Sequence, residues 1–231
     1  MNIALIQAGG VGTRINDDVP KQFLPINNKP LVIYTLERFQ NSSGVDAIVV
    51  ICLDGWQKSL RGFCAYYKIT KLREIVIGGD TGIQSIINGL SFLAEHYPRD
   101  SLVMIHEAVR PMVSVRIIED SIRVAKLYGN AVSAIPCVDE MLSSQDQLNT
   151  GELIPRDGLY SVQNPHTFKL EKLIWAYNSA IERGLTNSLG TAVLMHNLGE
   201  KLYLSLGSIK NFKVTVFDDI EIVKAIISGG E

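Results

Sequence analysis

The chain has 231 residues, of which 46% are hydrophobic and 20% charged, and its formal net charge is −2. This composition is typical of a globular protein with a sizeable core, and it provides no strongly basic surface for nucleic acid. No apolar run reaches the length of about 18 residues that a membrane-spanning helix requires. The cysteines Cys52, Cys64 and Cys137 lack CxxC spacing, and the four histidines are scattered as well. We therefore expect a cytoplasmic protein with reduced thiols, without a zinc cluster, a nucleic-acid partner or a membrane anchor.

Short apolar runs alternate with amphipathic segments along the first two thirds of the chain. Buried strands are predicted at residues 3–6, 47–52, 74–77, 102–105 and 131–135. Helices are predicted after Pro30, across residues 83–93, from the N-cap candidate Ser114 to Gly129, and at about residues 170–183 and 218–227. This alternation predicts an α/β fold with a mostly parallel sheet and helices on both of its faces.

The pattern breaks between residues 137 and 160, a polar stretch that is long for a connection in a compact domain. A disordered loop is one interpretation. The return of apolar side chains at Leu153, Ile154, Leu159 and Tyr160 favours a protruding β-hairpin arm instead. The prediction is a single domain over residues 1–231, with residues 137–160 as its arm.

The first predicted strand runs directly into a glycine-rich loop. The loop consists of Ala8, Gly9, Gly10, Val11, Gly12, Thr13 and Arg14. Glycines let backbone amides approach an anion closely, and open α/β sheets bind ligands where such a loop follows a strand. A purely structural turn would also use glycines. The loop matches neither a dinucleotide fingerprint, because Ile15 occupies the place of the third glycine, nor a Walker loop, because no GKS or GKT follows.

Charged and small residues follow the other predicted strands. Lys21 lies close to the glycine loop in the sequence, and a lysine there can neutralise charge that builds up on a phosphoryl group during transfer. Further candidates are Gly79, Ser85, Glu107, Arg110 and Lys213. Each of these residues alone is more typical of a structural role. Because the carboxyl ends of parallel strands meet at one edge of a sheet, their combination predicts a phosphate-binding site at that edge.

Together these segments resemble one enzyme family. The motifs are the glycine loop, Pro-Lys-Gln at 20–22, Gly-Gly with a later serine at 78–85, His-Glu-Ala-Val-Arg-Pro at 106–111, an arginine at 156, Asn-Pro-His-Thr-Phe at 164–168 and Asn-Phe-Lys-Val-Thr at 211–215. The chain is similar to the cytidylyltransferases that make CDP-methylerythritol from 2-C-methyl-D-erythritol 4-phosphate, and to their relatives that make CDP-ribitol. The resemblance covers nearly the whole chain, and the form of the glycine loop looks more like the ribitol-phosphate branch.

The resemblance implies a Rossmann-like nucleotidyltransferase fold that pairs as a homodimer through the arm. It implies transfer of CMP from CTP to a polyol phosphate, with release of pyrophosphate. CTP and Mg²⁺ would lie over the glycine loop, with Glu107 as the metal ligand. The residues around the nucleotide would include Gly9, Gly10, Gly12, Thr13 and Arg110.

The resemblance also implies particular roles at the reaction centre. Arg14 and Lys21 match residues that stabilise the pentavalent α-phosphorus. The residues that match the cytosine site are Ala8, Gly79 and Ser85. Lys213 matches a lysine that contacts the α-phosphate and the acceptor, and Arg156 matches an arm arginine that holds the acceptor phosphate in the neighbouring subunit's site. The acceptor phosphate is itself a nucleophile at neutral pH, so positioning and charge cancellation suffice for catalysis.

Departures from the family's pattern affect mainly the acceptor half. Glu107 replaces the usual aspartate, and Gly82 replaces an arginine. Asn-Pro-His at 164–166 replaces Thr-Pro-Gln, so His166 could add a hydrogen-bond donor for the acceptor. Residues 186–191 contain no carboxylate where the family has an acid that contacts the acceptor's hydroxyls. Its loss disfavours methylerythritol phosphate, and ribitol phosphate or a related alcohol phosphate suits the site at least as well.

Two other functions fit parts of the pattern. A sugar-1-phosphate nucleotidyltransferase using UTP or GTP shares the glycine loop and the Pro-Lys pair, but the motifs at 106–111 and 211–215 argue against it. A degenerate nucleotide-binding paralogue without catalysis would explain the lost acid and the lost arginine. Against it, Arg14, Lys21 and Lys213 are all present. The sequence leaves open which polyol phosphate is the acceptor and whether assemblies larger than a dimer form.

Overall fold

A seven-stranded sheet runs through the centre of the protein, in a computed structural model that describes residues 1–10, 19–184 and 190–229. The strands are β1 (Asn2–Ala8), β2 (Pro25–Ile26), β3 (Lys29–Pro30), β4 (Ala47–Cys52), β5 (Leu72–Ile77), β6 (Leu102–Glu107), β7 (Asn130–Pro136), β8 (Met141–Leu142), β9 (Leu153–Ile154), β10 (Tyr160–Lys169) and β11 (Leu204–Leu206). The helices are α1 (Leu31–Asn41), α2 (Gln57–Tyr66), α3 (Gly82–His96), α4 (Val115–Tyr128), α5 (Leu170–Glu182), α6 (Thr191–Asn197) and α7 (Phe217–Ser228), with a short 3₁₀ helix at Lys21–Phe23.

The order of the strands across the sheet is β11-β7-β10-β6-β1-β4-β5. Strand β1 pairs in parallel with β4 and β6, and β4 pairs in parallel with β5. The carboxyl ends of these four strands therefore meet at one edge. Strand β11 is also parallel to β7, whereas β10 runs antiparallel to both β6 and β7. The predicted mostly parallel sheet is confirmed.

The sequence pattern does not predict β10, because its middle is polar and contains Pro165, which normally interrupts a central strand. The structure accommodates the proline in a bulge, where the register with β7 shifts between Val162 and His166. The bulge takes Gln163 and Asn164 out of the regular ladder. Both side chains thereby become available for contacts outside the sheet.

Alternate residues of the central strands face opposite sides of the sheet and enter separate cores. On one side Ala4 and Ile6 pack in a cluster with residues of α1, α2 and α4. On the other side Ile3 and Leu5 pack with residues of α3, α5 and α6. Helix α7 belongs to a smaller third cluster near β2. The predicted α/β fold with helices on both faces is confirmed.

The cysteines are free thiols, as the sequence predicts. Cys52 and Cys64 are buried, and burial raises the pKa of each thiol to about 12. Neither side chain is therefore ionised at neutral pH. In the part of the chain that the structure describes, no helix has the length and apolar character needed to cross a membrane.

Residues 137–160, which the sequence predicts as an arm, contain a two-stranded hairpin. Strand β8 pairs antiparallel with β9, with Met141 opposite Ile154 and Leu142 opposite Leu153. All four side chains are exposed. A lone two-stranded hairpin has little stability of its own, and exposed apolar side chains on it are typical of a surface that binds a partner.

Helix α4 has the predicted boundaries. The hydroxyl oxygen of Ser114 accepts a hydrogen bond from the Ile117 N–H at 3.3 Å, which caps the first turn. Gly129 ends the helix in the left-handed region at φ 93°, where glycine avoids the strain of a side chain. This helix covers one face of the sheet next to β7 and β10.

We expect Ser114→Ala to lower the free energy of unfolding by up to about 1 kcal/mol, because the Ile117 N–H loses its side-chain acceptor and keeps only the Ser114 carbonyl oxygen at 3.0 Å. Ser114→Asp keeps an acceptor and adds negative charge at the helix N-terminus, so its stability should stay within about 0.5 kcal/mol of wild type. Urea unfolding at neutral pH measures both variants. Equal losses for alanine and aspartate would show that this side chain does not cap α4.

Candidate active site

A cleft of about 630 Å³ opens at the carboxyl ends of β1, β4, β5 and β6. Its lining includes Ala8, Gly9, Gly10, Lys21, Gln22, Asp54, Gly79, Ser85, Glu107 and Lys213. The structure thus brings most of the predicted site residues together at one edge of the sheet. Gly12, Thr13 and Arg14 lie outside the described residues.

A buried glutamine fixes the start of the glycine loop. Gln22 is 3% exposed, and its Nε2 donates to the carbonyl oxygen of Ala8 at 2.8 Å and to that of Gly10 at 2.9 Å. These bonds tie the end of β1 to the segment that carries Lys21. Sequence reasoning noted the Pro-Lys-Gln motif for its lysine and missed the glutamine, because the sequence does not show which atoms an amide contacts.

Gly79 and Ser85 form a closed pair at the start of α3. The Gly79 N–H donates to Ser85 Oγ at 3.0 Å, and the Ser85 hydroxyl donates to the Gly79 carbonyl oxygen at 3.2 Å. A Cβ atom at Gly79 would overlap the side chain of Gln84, so a larger residue would displace that side chain. A Cβ atom on Gly9 would lie 3.7 Å from Ser85 Oγ, which places the two glycine segments side by side. The residues predicted for cytosine therefore share one wall of the cleft.

The carboxylate of Glu107 binds two cations. Its Oε2 accepts a hydrogen bond from Arg110 Nε at 2.8 Å, and its Oε1 accepts one from Lys213 Nζ at 2.5 Å. Burial by itself would raise the pKa of Glu107, but the charges and hydrogen bonds of Arg110 and Lys213 outweigh burial and lower it. Glu107 is therefore ionised at neutral pH. It is the last residue of β6, a strand that extends beyond its predicted end at residue 105.

A second cleft of about 320 Å³ adjoins the first. Both clefts are lined by Gln7, Gly82, Glu107 and Lys213. The other residues of the smaller cleft include Arg110, Gln163, Asn164, His166, Gly190 and Thr191. Glu107 and Lys213 therefore stand at the boundary, within reach of a group bound on either side. Arg110, predicted beside the nucleotide, lies in the lining of the smaller cleft.

The bulge of β10 holds the segment that carries Lys213. Asn211 is completely buried, and its Nδ2 donates to the Asn164 carbonyl oxygen at 2.7 Å. Gln163 Nε2 donates to the Ser208 carbonyl oxygen at 2.9 Å, and Gln163 Oε1 accepts from the Ser208 N–H at 3.1 Å. The position of Lys213 thus depends on two amide side chains whose importance the sequence does not reveal.

Arg156 is absent from the described lining of both clefts. It lies in the arm, where its Nη1 donates to the Val138 carbonyl oxygen at 2.7 Å. Within one chain the structure does not bring this arginine to the other predicted residues. Its predicted contact with an acceptor phosphate requires a second subunit and stays a prediction.

Buried histidines lie on both faces of the sheet near the clefts. The ring of His106 packs edge-on against Phe39, with the centroids 5.0 Å apart, and His166 lines the smaller cleft. Burial lowers the pKa of His106 to about 3 and that of His166 to about 4. Both imidazoles are therefore neutral at neutral pH.

The donor set at the boundary fits a divalent cation that arrives with a nucleotide. Among the described residues, no group of three or more His, Cys, Asp or Glu side chains could hold a metal ion. The Glu107 side chain is 23% exposed at the junction of the clefts. Mg²⁺ in phosphate-transfer sites is commonly bound by one or two carboxylates together with the substrate's phosphates, so a single carboxylate here is sufficient.

A glycine-lined cleft at the carboxyl edge of an α/β sheet, joined to a second cleft through a lysine, lies where open α/β sheets bind their ligands. The family model described as 2-C-methyl-D-erythritol 4-phosphate cytidylyltransferase matches residues 2–229. The chain belongs to this family, and it is a cytidylyltransferase.

Similar proteins agree with this assignment. Ribitol-5-phosphate cytidylyltransferase of Lacticaseibacillus paracasei is 36% identical over 98% of both chains, and that of Vibrio parahaemolyticus is 37% identical over 100% of this chain and 98% of its own. 2-C-methyl-D-erythritol 4-phosphate cytidylyltransferase of Clostridium novyi is 32% identical over 98% of this chain and 96% of its own. The crystal structure of the Francisella tularensis 2-C-methyl-D-erythritol 4-phosphate cytidylyltransferase has a TM-score of 0.81 at 26% identity, covering 96% of this chain and 98% of that one. These relatives favour the predicted cytidylyltransferase function over the two alternatives, a sugar-1-phosphate nucleotidyltransferase and a non-catalytic paralogue.

Burial of a neutral histidine predicts an acid-sensitive stability. An unfolded histidine titrates near pH 6.5, whereas folded His166 stays neutral until about pH 4. Between these values the unfolded state binds the extra proton, so the free energy of unfolding falls as the pH falls. Urea unfolding at about pH 7 and at about pH 4.5 gives the fall in the free energy of unfolding over this range. Because glutamine does not titrate, we expect this fall to be roughly 1–3 kcal/mol smaller for His166→Gln than for wild type. An identical pH dependence for the two proteins would contradict a buried neutral imidazole.

Proposed function

We propose that the enzyme transfers CMP from CTP to ribitol 5-phosphate and releases pyrophosphate. The observation that carries this proposal is the junction of two clefts at Glu107 and Lys213. The larger cleft has glycine-lined walls that suit a nucleotide, and the smaller cleft has amide and imidazole side chains that suit a hydroxylated acceptor. Relatives at 36% and 37% identity that carry the name ribitol-5-phosphate cytidylyltransferase support the choice of acceptor.

CTP lies in the larger cleft in this proposal. Ala8, Gly79 and Ser85 supply backbone groups and a hydroxyl for the polar edge of cytosine. Lys21 and Lys213 line the same cleft and balance the charge of the phosphates. The proposed phosphate site also includes Gly9, Gly10, Gly12, Thr13 and Arg14.

The reaction forms one bond to phosphorus and breaks another. A phosphate oxygen of the acceptor attacks the α-phosphorus of CTP, and the bond from that phosphorus to the oxygen bridging to the β-phosphate breaks. The electron pair leaves with pyrophosphate, and CMP remains joined to the acceptor. Because a phosphate is nucleophilic at neutral pH, His106 and His166 are not needed as bases. Lys21 and Lys213 stabilise the charge of the pentavalent transition state.

The residues at the boundary would also bind Mg²⁺. Glu107 is the described residue that would hold the cation, directly or through water, and its lowered pKa keeps it ionised for that purpose. When bound, Mg²⁺ would neutralise phosphate charge and orient the pyrophosphate leaving group.

The acceptor preference rests on the neutral wall of the smaller cleft. Asn164, His166 and Thr191 offer neutral polar groups there, and Glu107 at the boundary is the carboxylate proposed to hold the cation. Residues 186–189, which lack the family's acid, lie outside the described residues. Neutral hydrogen-bonding groups suit a chain of hydroxyls with a pattern different from that of methylerythritol. We therefore expect methylerythritol phosphate to be a poor acceptor.

The arm would complete the site in a homodimer. The exposed apolar side chains of β8 and β9 would be buried if the arms of two copies packed together. The same contact would carry Arg156 toward the smaller cleft of the partner. Its guanidinium would then bind the acceptor phosphate with two donors.

The function is tested by pyrophosphate release with CTP, UTP, ATP and GTP against ribitol 5-phosphate, 2-C-methyl-D-erythritol 4-phosphate and glycerol phosphate. We expect CTP to be preferred, and kcat/KM for ribitol 5-phosphate to exceed that for the methylerythritol substrate by at least about tenfold, the value of one charged hydrogen bond. Equal or faster turnover with UTP would contradict the proposal that CTP is the nucleotide substrate. A preference for methylerythritol phosphate would contradict the proposal that ribitol 5-phosphate is the acceptor.

Lys21→Ala should lower kcat by roughly 10²-fold and change the Kd of CTP much less, because the lysine acts mainly on charge that develops in the transition state. Lys58→Ala, which removes an exposed lysine from α2, is the matched control and should keep wild-type kinetics. Steady-state rates and calorimetric CTP binding give the two quantities. A near-normal kcat for Lys21→Ala would remove this lysine from the reaction centre.

Arg156→Ala and Lys21→Ala should complement each other if arms exchange between subunits. Each homodimer would be weak, but a heterodimer would contain one intact site and one doubly altered site. After verified subunit exchange, we expect an equal mixture to regain roughly a quarter of wild-type activity, because half of the dimers are mixed and half of their sites are intact. No recovery would place Arg156 in the site of its own chain or outside any site.

A further inference from the structure

A threonine stands in the apolar stripe of α1. Leu31, Thr35 and Phe39 follow one another at intervals of four residues, so they share one face of the helix, and all three are completely buried. A hydroxyl in such surroundings is unfavourable unless it finds a hydrogen-bond partner. A helical threonine can bond to a carbonyl in the preceding turn of its own helix. The Thr35 hydroxyl instead donates out of the helix, to the carbonyl oxygen of Ala108 at 2.7 Å.

Ala108 lies in the turn that carries Glu107 and Arg110. The Arg110 N–H donates to the Glu107 carbonyl oxygen at 3.1 Å and closes this turn. Ala108 is completely buried, and its N–H donates to the Gln7 carbonyl oxygen of β1 at 2.9 Å. The bond from Thr35 fixes the carbonyl of the same residue. The backbone between the two charged side chains is therefore held from the sheet on one side and from α1 on the other.

Two further contacts reach the turn from other directions. The N–H of Val214, the residue after Lys213, donates to the Val109 carbonyl oxygen at 2.9 Å. His106 Nε2 lies 3.3 Å from the Arg110 carbonyl oxygen. The bond from α1 is shorter than either of these contacts. The turn thus connects α1 to the segment that carries the lysine shared by both clefts.

A displacement of this turn would move both of its charged groups. Glu107 and Arg110 form an ion pair whose side chains are 23% and 13% exposed. A misplacement of about 1 Å at a reaction centre can cost roughly 10²-fold in rate. Residues that orient metal ligands from outside the site typically account for about 10- to 100-fold in metal affinity or activity. A hydroxyl that holds the turn is therefore able to control the reaction without touching a substrate.

We propose that Thr35 is a positioning residue, whose hydroxyl fixes the turn of Glu107 and Arg110 in the geometry that CMP transfer requires. Thr35 is completely buried and absent from the described lining of both clefts, so it acts through the turn. This role rests on the proposed function, since it assumes that Glu107 holds the cation at the reaction centre. It extends the catalytic apparatus to α1, a helix that lines neither cleft.

The test compares variants that differ in one hydroxyl. Thr35→Val removes the hydroxyl and keeps a branched side chain of nearly the same shape, whereas Thr35→Ser keeps the hydroxyl and loses a methyl group. The matched control is Ser121→Ala in α4, which removes another buried hydroxyl, bonded to Thr167 Oγ1 at 2.6 Å and outside the described lining of both clefts. Thr35→Val and Ser121→Ala should both lower the melting temperature, since each leaves a buried group without its partner.

Three measurements are made on each protein. Thermal unfolding reports stability. Pyrophosphate release gives kcat and KM with CTP, Mg²⁺ and whichever polyol phosphate the wild type uses best. Calorimetry gives the Kd of CTP with and without Mg²⁺, which measures the contribution of the cation to binding independently of turnover.

We expect Thr35→Val to lower kcat/KM by about 10- to 100-fold and to reduce the tightening of CTP binding by Mg²⁺ by about tenfold. Thr35→Ser should recover most of both losses, and Ser121→Ala should keep wild-type kinetics despite its lower melting temperature. In a Glu107→Gln background, Thr35→Val should cost little more in kcat/KM, because both changes act on the same group. Wild-type kinetics for folded Thr35→Val, equal losses for Ser121→Ala, or full additivity with Glu107→Gln would each contradict this role.

A failure of the proposed function would look different. A wild-type enzyme that prefers another polyol phosphate would overturn the proposed acceptor alone, because the role of Thr35 does not depend on the acceptor. Wild-type kinetics for Glu107→Gln would overturn the proposed role of Glu107 and that of Thr35 with it. If Thr35→Val does not fold, Thr35→Cys decides, since a thiol is only a weak donor. A lowered kcat/KM with an unchanged Kd of CTP in the absence of Mg²⁺ supports the positioning role, and wild-type kinetics contradict it.

Discussion

The site depends on one electrostatic constraint, which is that Arg110 and Lys213 share the carboxylate of Glu107. One negative and two positive groups leave a net positive charge at the boundary of the two clefts, where the proposed reaction brings the phosphates of both substrates together. The carboxylate allows two cations to stay close together without strong repulsion. The same contact fastens the C-terminal segment to the sheet, because Arg110 Nη1 also donates to the Asn211 carbonyl oxygen at 2.9 Å.

This cluster contributes more to positioning than to the stability of the fold. The Lys213 side chain is 44% exposed, and ion pairs of that exposure contribute about 0–1 kcal/mol to folding. A positioned charge next to a transferring phosphoryl group is worth roughly 3 kcal/mol in the transition state. In the proposed reaction, the larger effect of Lys213 is therefore on the transition state. The buried amides of Gln22 and Asn211 serve the same end, since each fixes a segment that carries a lysine of the site.

The sequence is sufficient to predict the parallel strands β1, β4, β5, β6 and β7 and most of the flanking helices, but it does not predict α2, α6 or β11. Strand β4 is buried at every position, so its apolar run is unmistakable, and parallel strands necessarily present their carboxyl ends together. Strand β10 gives no such signal, because Asn164 and Pro165 interrupt it at the bulge that later serves the site. The contacts of Gln22 depend on distances between elements that are far apart in the sequence. The contact proposed for Arg156 depends on a second chain, which no pattern within one chain displays.

The most direct test of this account is a crystal structure with an unreactive CTP analogue, Mg²⁺ and ribitol 5-phosphate bound together. We expect cytosine beside Ala8 and Ser85 in the larger cleft, and the ribitol chain in the smaller cleft. Lys213 Nζ should lie about 3 Å from phosphate oxygens of the bound substrates, at the boundary that it shares with Glu107. A nucleotide bound in the smaller cleft, or an acceptor bound away from Lys213, would contradict the arrangement of two substrates around one shared lysine.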